Sequence, residues 1–189
     1  MKEIERIGLP TFKQRRKFMR YFRIKDSETL QKILNKNPFS FNNVRHPFER
    51  IASAYLDRDN RALAHIKRTN FEKFLKDYVL KPANSSLDKK TFSQMNPHFR
   101  PYNSFCAFCN INYTILSRTE TYDQDKVRIM AALGIKMTDN QERLNSHGGD
   151  SAHNLTVELF SKVSKEIKTA LLDLYKYDFQ MFNYDKNMY

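Results

Sequence analysis

Arg45, Pro47 and Ser53 stand in the run Val44-Arg45-His46-Pro47-Phe48-Glu49-Arg50-Ile51-Ala52-Ser53 at spacings that suit the capture of an anion. A short apolar run ends in arginine and enters a helix through proline. A helix N-terminus offers free N–H groups and the positive end of a dipole. The planar guanidinium of Arg45 adds a fork that holds a phosphate through two hydrogen bonds. Ser53 lies about two turns into the helix, where its hydroxyl reaches the same anion if the strand end folds over the helix. The same residues also fit an ordinary strand-to-helix turn, with Arg45 paired to Glu49 and Ser53 a small core hydroxyl. Spacing alone leaves both readings open.

The second chemical feature is Cys106-x-x-Cys109, the only two cysteines in the chain. A zinc site needs about four ligands, and no second Cys/His pair stands at a finger spacing. A thioredoxin-type motif opens a helix after a strand, whereas "NSFCAFCNINYTIL" leads into a strand-like run. A local disulfide or two idle thiols remain. No Asp/Glu/His cluster suggests a metal, and none is expected.

The formal charge is +12, from 33 Lys+Arg against 21 Asp+Glu over 189 residues. That excess favours a polyanionic partner such as nucleic acid, anionic lipid, sulfated glycan or nucleotide, or else a solvated basic surface. No RNP, zinc-finger or helix-turn-helix pattern supports a nucleic-acid-binding module, so nucleic acid is not the expected partner. The 40% hydrophobic and 13% aromatic content excludes a disordered tail. No run of about 18 apolar residues spans a membrane, and "MKEIERIGLP" has no signal-peptide core. A secretory address or membrane anchor, if the protein has one, is expected outside this chain. Three N-x-S/T sequons, at Asn84, Asn112 and Asn154, permit such a location without requiring it.

These residues need elements to position them. A helix is expected after Pro10 and a short one over 27–35, capped by Ser27. "FSFNNV" (39–44) reads as a strand, and the helix entered at Pro47 presents Phe48, Ile51, Ala52 and Tyr55 on one face. Asn70 caps "FEKFLKDYVL", and residues 81–101, with three prolines, read as a loop. "NYTILS" (112–117) is a second strand, and "YDQDKVRIMAALG" a helix stopped by Gly134. Residues 136–154 read as a polar loop, and one long final helix is expected from a Thr156 cap. Strands alternating with helices predict an α/β domain with a parallel sheet flanked by helices.

"VRHPFERIASAYLDR" resembles the 3′-phosphate-binding segment of the Golgi carbohydrate sulfotransferases, the family of the chondroitin and dermatan 4-O-sulfotransferases. Their pattern, Val-Arg-x-Pro-Phe-x-Arg-Leu-x-Ser-Ala-Tyr, is met at Val44, Arg45, Pro47, Phe48, Arg50, Ser53, Ala54 and Tyr55. The run "NPHFRPYNSFCAFCNINYTILSRTETYDQD" follows in the family's order, at His98, Pro101, Cys106, Cys109, Tyr113, Glu120, Thr121 and Asp125, with Phe99 in place of Trp. "LLDLYKYDFQMFNYD" is similar to the closing motif at Tyr175, Asp178, Phe179, Phe182 and Tyr184. The resemblance is strongest over 40–185. The N-terminal 1–25 is a divergent counterpart of the 5′-phosphosulfate loop, within a single sulfotransferase domain expected to fill residues 1–189.

The resemblance implies a P-loop-like sulfotransferase fold. It implies 3′-phosphoadenylyl sulfate (PAPS) as sulfate donor, an acidic chondroitin- or dermatan-like glycan as acceptor, and the Golgi lumen as location. Arg45 and Ser53 are then the cofactor's 3′-phosphate contacts, and "ERIGLPTFKQ" supplies Gly8 and Thr11 to its 5′ side. Arg6 and Lys13 become the cations that stabilise the transferred group, and His98, in a loop, the base that takes the acceptor proton. A structural histidine packing the Cys-x-x-Cys loop is the other reading of His98. The family's loop lysine is here Arg6, Pro10 removes a backbone donor, and the strand expected before the loop is missing. The alternative is therefore a relative that binds PAPS, its spent nucleotide or a glycan without efficient turnover. The family also implies that Cys106 and Cys109 pair.

Overall fold

The computed structural model of the chain describes residues 28, 32, 35–36, 39–56, 69–86, 92–104, 106, 108, 111–136 and 149–189. It divides into two compact units, Met1–Ser40 and Phe41–Tyr189. In the first, Glu28, Lys32, Asn35 and Lys36 are helical, within or beside the span expected to be helix. An exposed Lys32–Glu28 pair at 2.7 Å joins successive turns. The helix expected after Pro10 lies outside the described residues, as do Arg6, Gly8, Thr11 and Lys13.

The second unit is α/β: a small parallel sheet flanked by helices. Strand β1 (Phe41–Val44) pairs in parallel with β2 (Ile115–Arg118), in the register Phe41↔Ile115 to Val44↔Arg118. Parallel strands need a long crossover, and helices supply it. Helix α1 (Pro47–Leu56) follows β1 after two residues. A residue before proline is kept out of helical geometry, so His46 stays outside the helix, which begins at Pro47, whose missing N–H costs nothing there. Helix α2 (Phe71–Phe74) runs into a π-helical stretch, Leu75–Leu80, and then α3 (Lys81–Ser85). The Asn70 side chain accepts from the Lys73 N–H at 2.8 Å, the expected cap. Helix α4 (Tyr122–Ala132) follows β2 and a short 3-10 turn, Thr119–Thr121. Gly134 ends it at φ +65, and the Ile135 N–H closes back onto the Met130 carbonyl at 2.9 Å.

Three sequence expectations are corrected. Residues 81–85, read as loop, are helical. Pro82 lacks the N–H for an ordinary i→i−4 bond, and the wider π turn ahead of it carries the Lys81 N–H to Lys76 O instead. The polar stretch before 154 becomes helix from Gly149, in α5 (Gly149–Ser161). Thr156 is consequently no cap: it is buried inside α5, its hydroxyl donating to Ala152 O at 2.8 Å. The single long final helix is three helices, α5, α6 (Lys165–Leu174) and α7 (Lys176–Phe182). The chain extends at Ser164 (ψ 152), where Glu72 of α2 takes its N–H at 3.3 Å. It turns again at Tyr175, whose ring is fully buried. Breaking there lets Phe160, Val163, Ile167, Leu171, Tyr175 and Phe179 enter one core, which a straight helix cannot do.

That core is aromatic. Phe48 stacks on Phe160 at 4.5 Å and meets Phe179 edge-on, while Phe74 meets Phe99 edge-on. It clamps α1 between α2, α5 and α7, and so fixes the residues at both ends of that helix.

Candidate functional site

The site begins where β1 hands over to α1. Arg45 donates from Nε to Glu49 Oε2 at 3.1 Å, with about a fifth of its side chain exposed. Its two Nη groups make no hydrogen bond among the described residues. Ser53 is half-buried on α1. Glu49 and Ser53 lie four apart on one face of α1, and Arg45, just ahead of the helix, reaches Glu49 from its N-terminal end. The structure thus contains the ion pair of the plain strand-to-helix turn.

The helix end is less open than expected. Pro47 has no N–H, and the buried His46 side chain caps the Phe48 N–H through Nδ1 at 3.2 Å. His46 Nε2 lies 3.1 Å from the Asp185 carbonyl and must carry the proton there. Burial pushes the His46 pKa below its ordinary value of 6.5, against the pull of the Asp185 carbonyl and nearby carboxylates. Its backbone N–H goes to Glu120 at 3.3 Å. His46 is therefore a neutral cap, and an anion at this helix end must rely on Arg45.

The C-terminal tail closes over the same junction. Asn183 adopts the left-handed conformation (φ 50), ends α7 and returns the Tyr184 N–H to Phe179 O. The rings of Tyr184 and Tyr189 then meet His46 edge-on, at 5.2 and 4.9 Å. Glu120 accepts from the Tyr184 hydroxyl at 3.3 Å. Arg118 donates to Phe182 O at 2.6 Å and lies over the Tyr184 ring. The Tyr189 hydroxyl donates to Glu49 Oε1 at 2.5 Å. Burial and the adjacent Glu49 carboxylate drive the Tyr189 phenol strongly upward, so it stays protonated.

A second cluster joins α1 to the loop carrying His98. Asp178 of α7 is fully buried and accepts from the Tyr102 N–H at 2.9 Å and the Asn103 N–H at 3.3 Å. Arg50 lies 3.8 Å from that carboxylate, donates to Arg100 O at 2.5 Å and packs flat over the Tyr102 ring. The Tyr175 hydroxyl donates to Phe99 O, and Arg100 turns back to Met95 O at 2.7 Å. Burial raises the Asp178 pKa, opposed by Arg50 and the two amides. The loop is irregular but tied down on both sides of His98, which sits exposed in a turn next to the buried Phe99.

Cys106 is a free thiol, half-buried, its pKa raised by burial against a hydrogen bond with Asn42. Cys109 lies outside the described residues, so the expected pairing finds no support here. A cleft of about 730 Å³ at the far end of α1 is lined by Tyr55, Phe71, Lys73, Lys76 and Lys162. Its lysines pair with Asp77, Glu72 and Glu158 on their own helices, so its charge is largely balanced. Among the described residues no cluster of three or more His, Cys, Asp or Glu is arranged to hold a metal, and no helix is long and apolar enough to cross a membrane.

Sequence reasoning placed Arg45 at the strand-to-helix turn, Ser53 on the helix after it and His98 in a loop, and these are their places in the structure. It gave no role to Arg50, Asp178 or Tyr175, which matched a motif and prove to be the ties that hold that loop. It passed over His153 and Tyr189: one lay in a stretch read as loop, the other in no pattern at all.

Residues 5–185 match the profile described as the Sulfotransferase family. The chain belongs to that family. Its relatives include carbohydrate sulfotransferase 10 of Gallus gallus, 31% identical over 84% of this chain and 49% of the relative. Carbohydrate sulfotransferase 11 of Rattus norvegicus is 25% identical over 79% of this chain and 47% of its own length, and human carbohydrate sulfotransferase 10 is 28% identical over 83% and 49%. This sulfotransferase-family chain spans about half the length of the curated relatives it matches. No solved structure matches it.

Proposed function

We propose that the chain is a sulfotransferase domain, residues 1–189, that moves a sulfuryl group from PAPS to a hydroxyl of an acidic glycan of the glycosaminoglycan type, in the Golgi lumen. The observation that carries the reading is Arg45. It stands at the strand-to-helix junction, its Nε held by Glu49 and its Nη groups making no hydrogen bond among the described residues. Holding the fork in place beforehand lowers the entropy lost when a phosphate binds. The residues fit the donor's 3′-phosphate, with Arg45 as the charged contact and Ser53, on the helix that follows, as the hydroxyl.

PAPS supplies an activated sulfuryl group with a nucleotide phosphate as leaving group. Transfer is an in-line displacement that the protein assists by positioning and by cationic donors. Arg6 and Lys13 are assigned to the charge on the transferred group, and Gly8 and Thr11 to the 5′ side. His98, on its tied loop, is assigned to accept the acceptor hydroxyl's proton, for which a neutral imidazole suits. The net charge of +12 draws an acidic acceptor toward the protein. A Cys106–Cys109 bond formed in an oxidising compartment would shape the loop beside His98.

Calorimetry with adenosine 3′,5′-bisphosphate tests the reading. Arg45→Ala should weaken binding by about 2–3 kcal/mol, roughly 30- to 150-fold, with Ser53→Ala milder. Labelled sulfate should pass from PAPS to desulfated chondroitin. Unchanged affinity in Arg45→Ala would remove the cofactor site. Binding without transfer would favour the relative that keeps the nucleotide but not the turnover, for which Arg6 and Pro10 in the 5′ loop speak.

A further inference from the structure

His153 of α5 faces the Arg45 junction, and its ring is held by one hydrogen bond, to Tyr189. The Tyr189 hydroxyl has one proton and gives it to Glu49 Oε1. Its contact with His153 Nδ1 at 2.8 Å must therefore run the other way, from Nδ1–H to the phenol oxygen. The order is Nδ1–H of His153 to Tyr189, O–H of Tyr189 to Glu49. The neutral ring then keeps its lone pair on Nε2, which has no partner among the described residues, and 42% of the side chain is exposed. Glu49 is shared: Arg45 Nε takes Oε2 at 3.1 Å, while His153 Nδ1 lies 3.8 Å from Oε1. A guanidinium and an imidazole thus flank one buried carboxylate.

We propose that His153 is a second anion-binding group, acting with Arg45 on one phosphate monoester and taking up a proton on Nε2 as that phosphate binds. A phosphate dianion on the Nη groups of Arg45 brings negative charge beside an imidazole already backed by Glu49 through Tyr189. Solvent supplies the proton, no covalent bond changes, and the imidazolium donates Nε2–H to phosphate while Nδ1–H stays on Tyr189. Among the described residues, the charged or titratable groups facing it are Glu49 of α1, Arg45 just ahead of that helix and Tyr189 from the tail. His46, edge-on to the Tyr189 ring, stays neutral. The inference rests on the reading of Arg45 as a nucleotide-phosphate contact and adds to it a residue and a linked proton.

The test is calorimetry with adenosine 3′,5′-bisphosphate at pH 7.5, in buffers of different ionisation enthalpy, on the full chain. The wild-type protein should take up a measurable fraction of a proton on binding. His153→Asn places an amide nitrogen near the Nδ1 position, so the bond to Tyr189 can persist without a titratable ring. It should abolish the uptake and weaken binding about tenfold with an unchanged unfolding midpoint. Adenosine 5′-monophosphate, lacking the 3′-phosphate, should bind both proteins alike. If His153→Asn leaves uptake and affinity unchanged while Arg45→Ala weakens binding, the inference is wrong and the cofactor reading stands. If Arg45→Ala also has no effect, both fall.

Discussion

Asp178→Ala should be among the most damaging single substitutions in the second unit, and the reason can be worked through. The carboxylate is fully buried and accepts two backbone N–H groups, from Tyr102 at 2.9 Å and Asn103 at 3.3 Å. Each buried N–H left without an acceptor costs about 1–3 kcal/mol. Arg50 loses its counter-charge while only 11% exposed, with Nε and one Nη already unpartnered, and removing one member of a buried pair typically costs about 3–5 kcal/mol. These losses overlap, so a total of about 3–5 kcal/mol is expected rather than their sum. For a chain of this size that lowers the unfolding midpoint by roughly 6–20 °C. Thermal and urea unfolding of Asp178→Ala beside Glu158→Ala measure it. Glu158 pairs with Lys162 on an exposed helix face and should matter by less than about 1 kcal/mol. If the two variants lose similar stability, the buried pair is not the tie described. Asp178→Asn should fall between, since an amide accepts one of the two N–H groups and turns its own NH₂ toward the other.

Tyr175→Phe should lose about 1–2 kcal/mol by urea unfolding, because it strands the buried Phe99 carbonyl that its hydroxyl reaches; no loss would refute that bond. The pKa of His46 is depressed in the fold, so its contribution to stability is complete above the ordinary value of 6.5 and is lost as pH falls below it toward the folded value. His46→Asn keeps a capping side chain and should flatten the wild-type loss of stability between neutral and mildly acid pH; an unchanged slope would place the titration elsewhere. His98→Ala should reduce the rate of sulfate transfer by about 100-fold or more with little change in nucleotide affinity. A loss of affinity alone would assign His98 to binding.

The sequence by itself determined what is local. Proline after His46 set the strand-to-helix junction, Asn70 set the start of α2, and Gly134 set the end of α4, because each acts through its own backbone or the next turn. The order of motifs set the family. The sequence did not determine where the last thirty or so residues bend: their apolar spacing fits one long helix, and the breaks at Ser164 and Tyr175 come from α2 and the core taking what a straight helix cannot offer. Nor did it determine the site's electrostatics. Glu49 reads only as a partner for the arginine four residues before it, yet it is buried, with Tyr189 returning to it across 140 residues of chain. Arg50 and Asp178 look like two motif letters until α7 packs on α1 and brings them within 3.8 Å. Pairings of that separation are fixed by which faces the aromatic core draws together, a property of the whole packed unit that no short window of sequence contains.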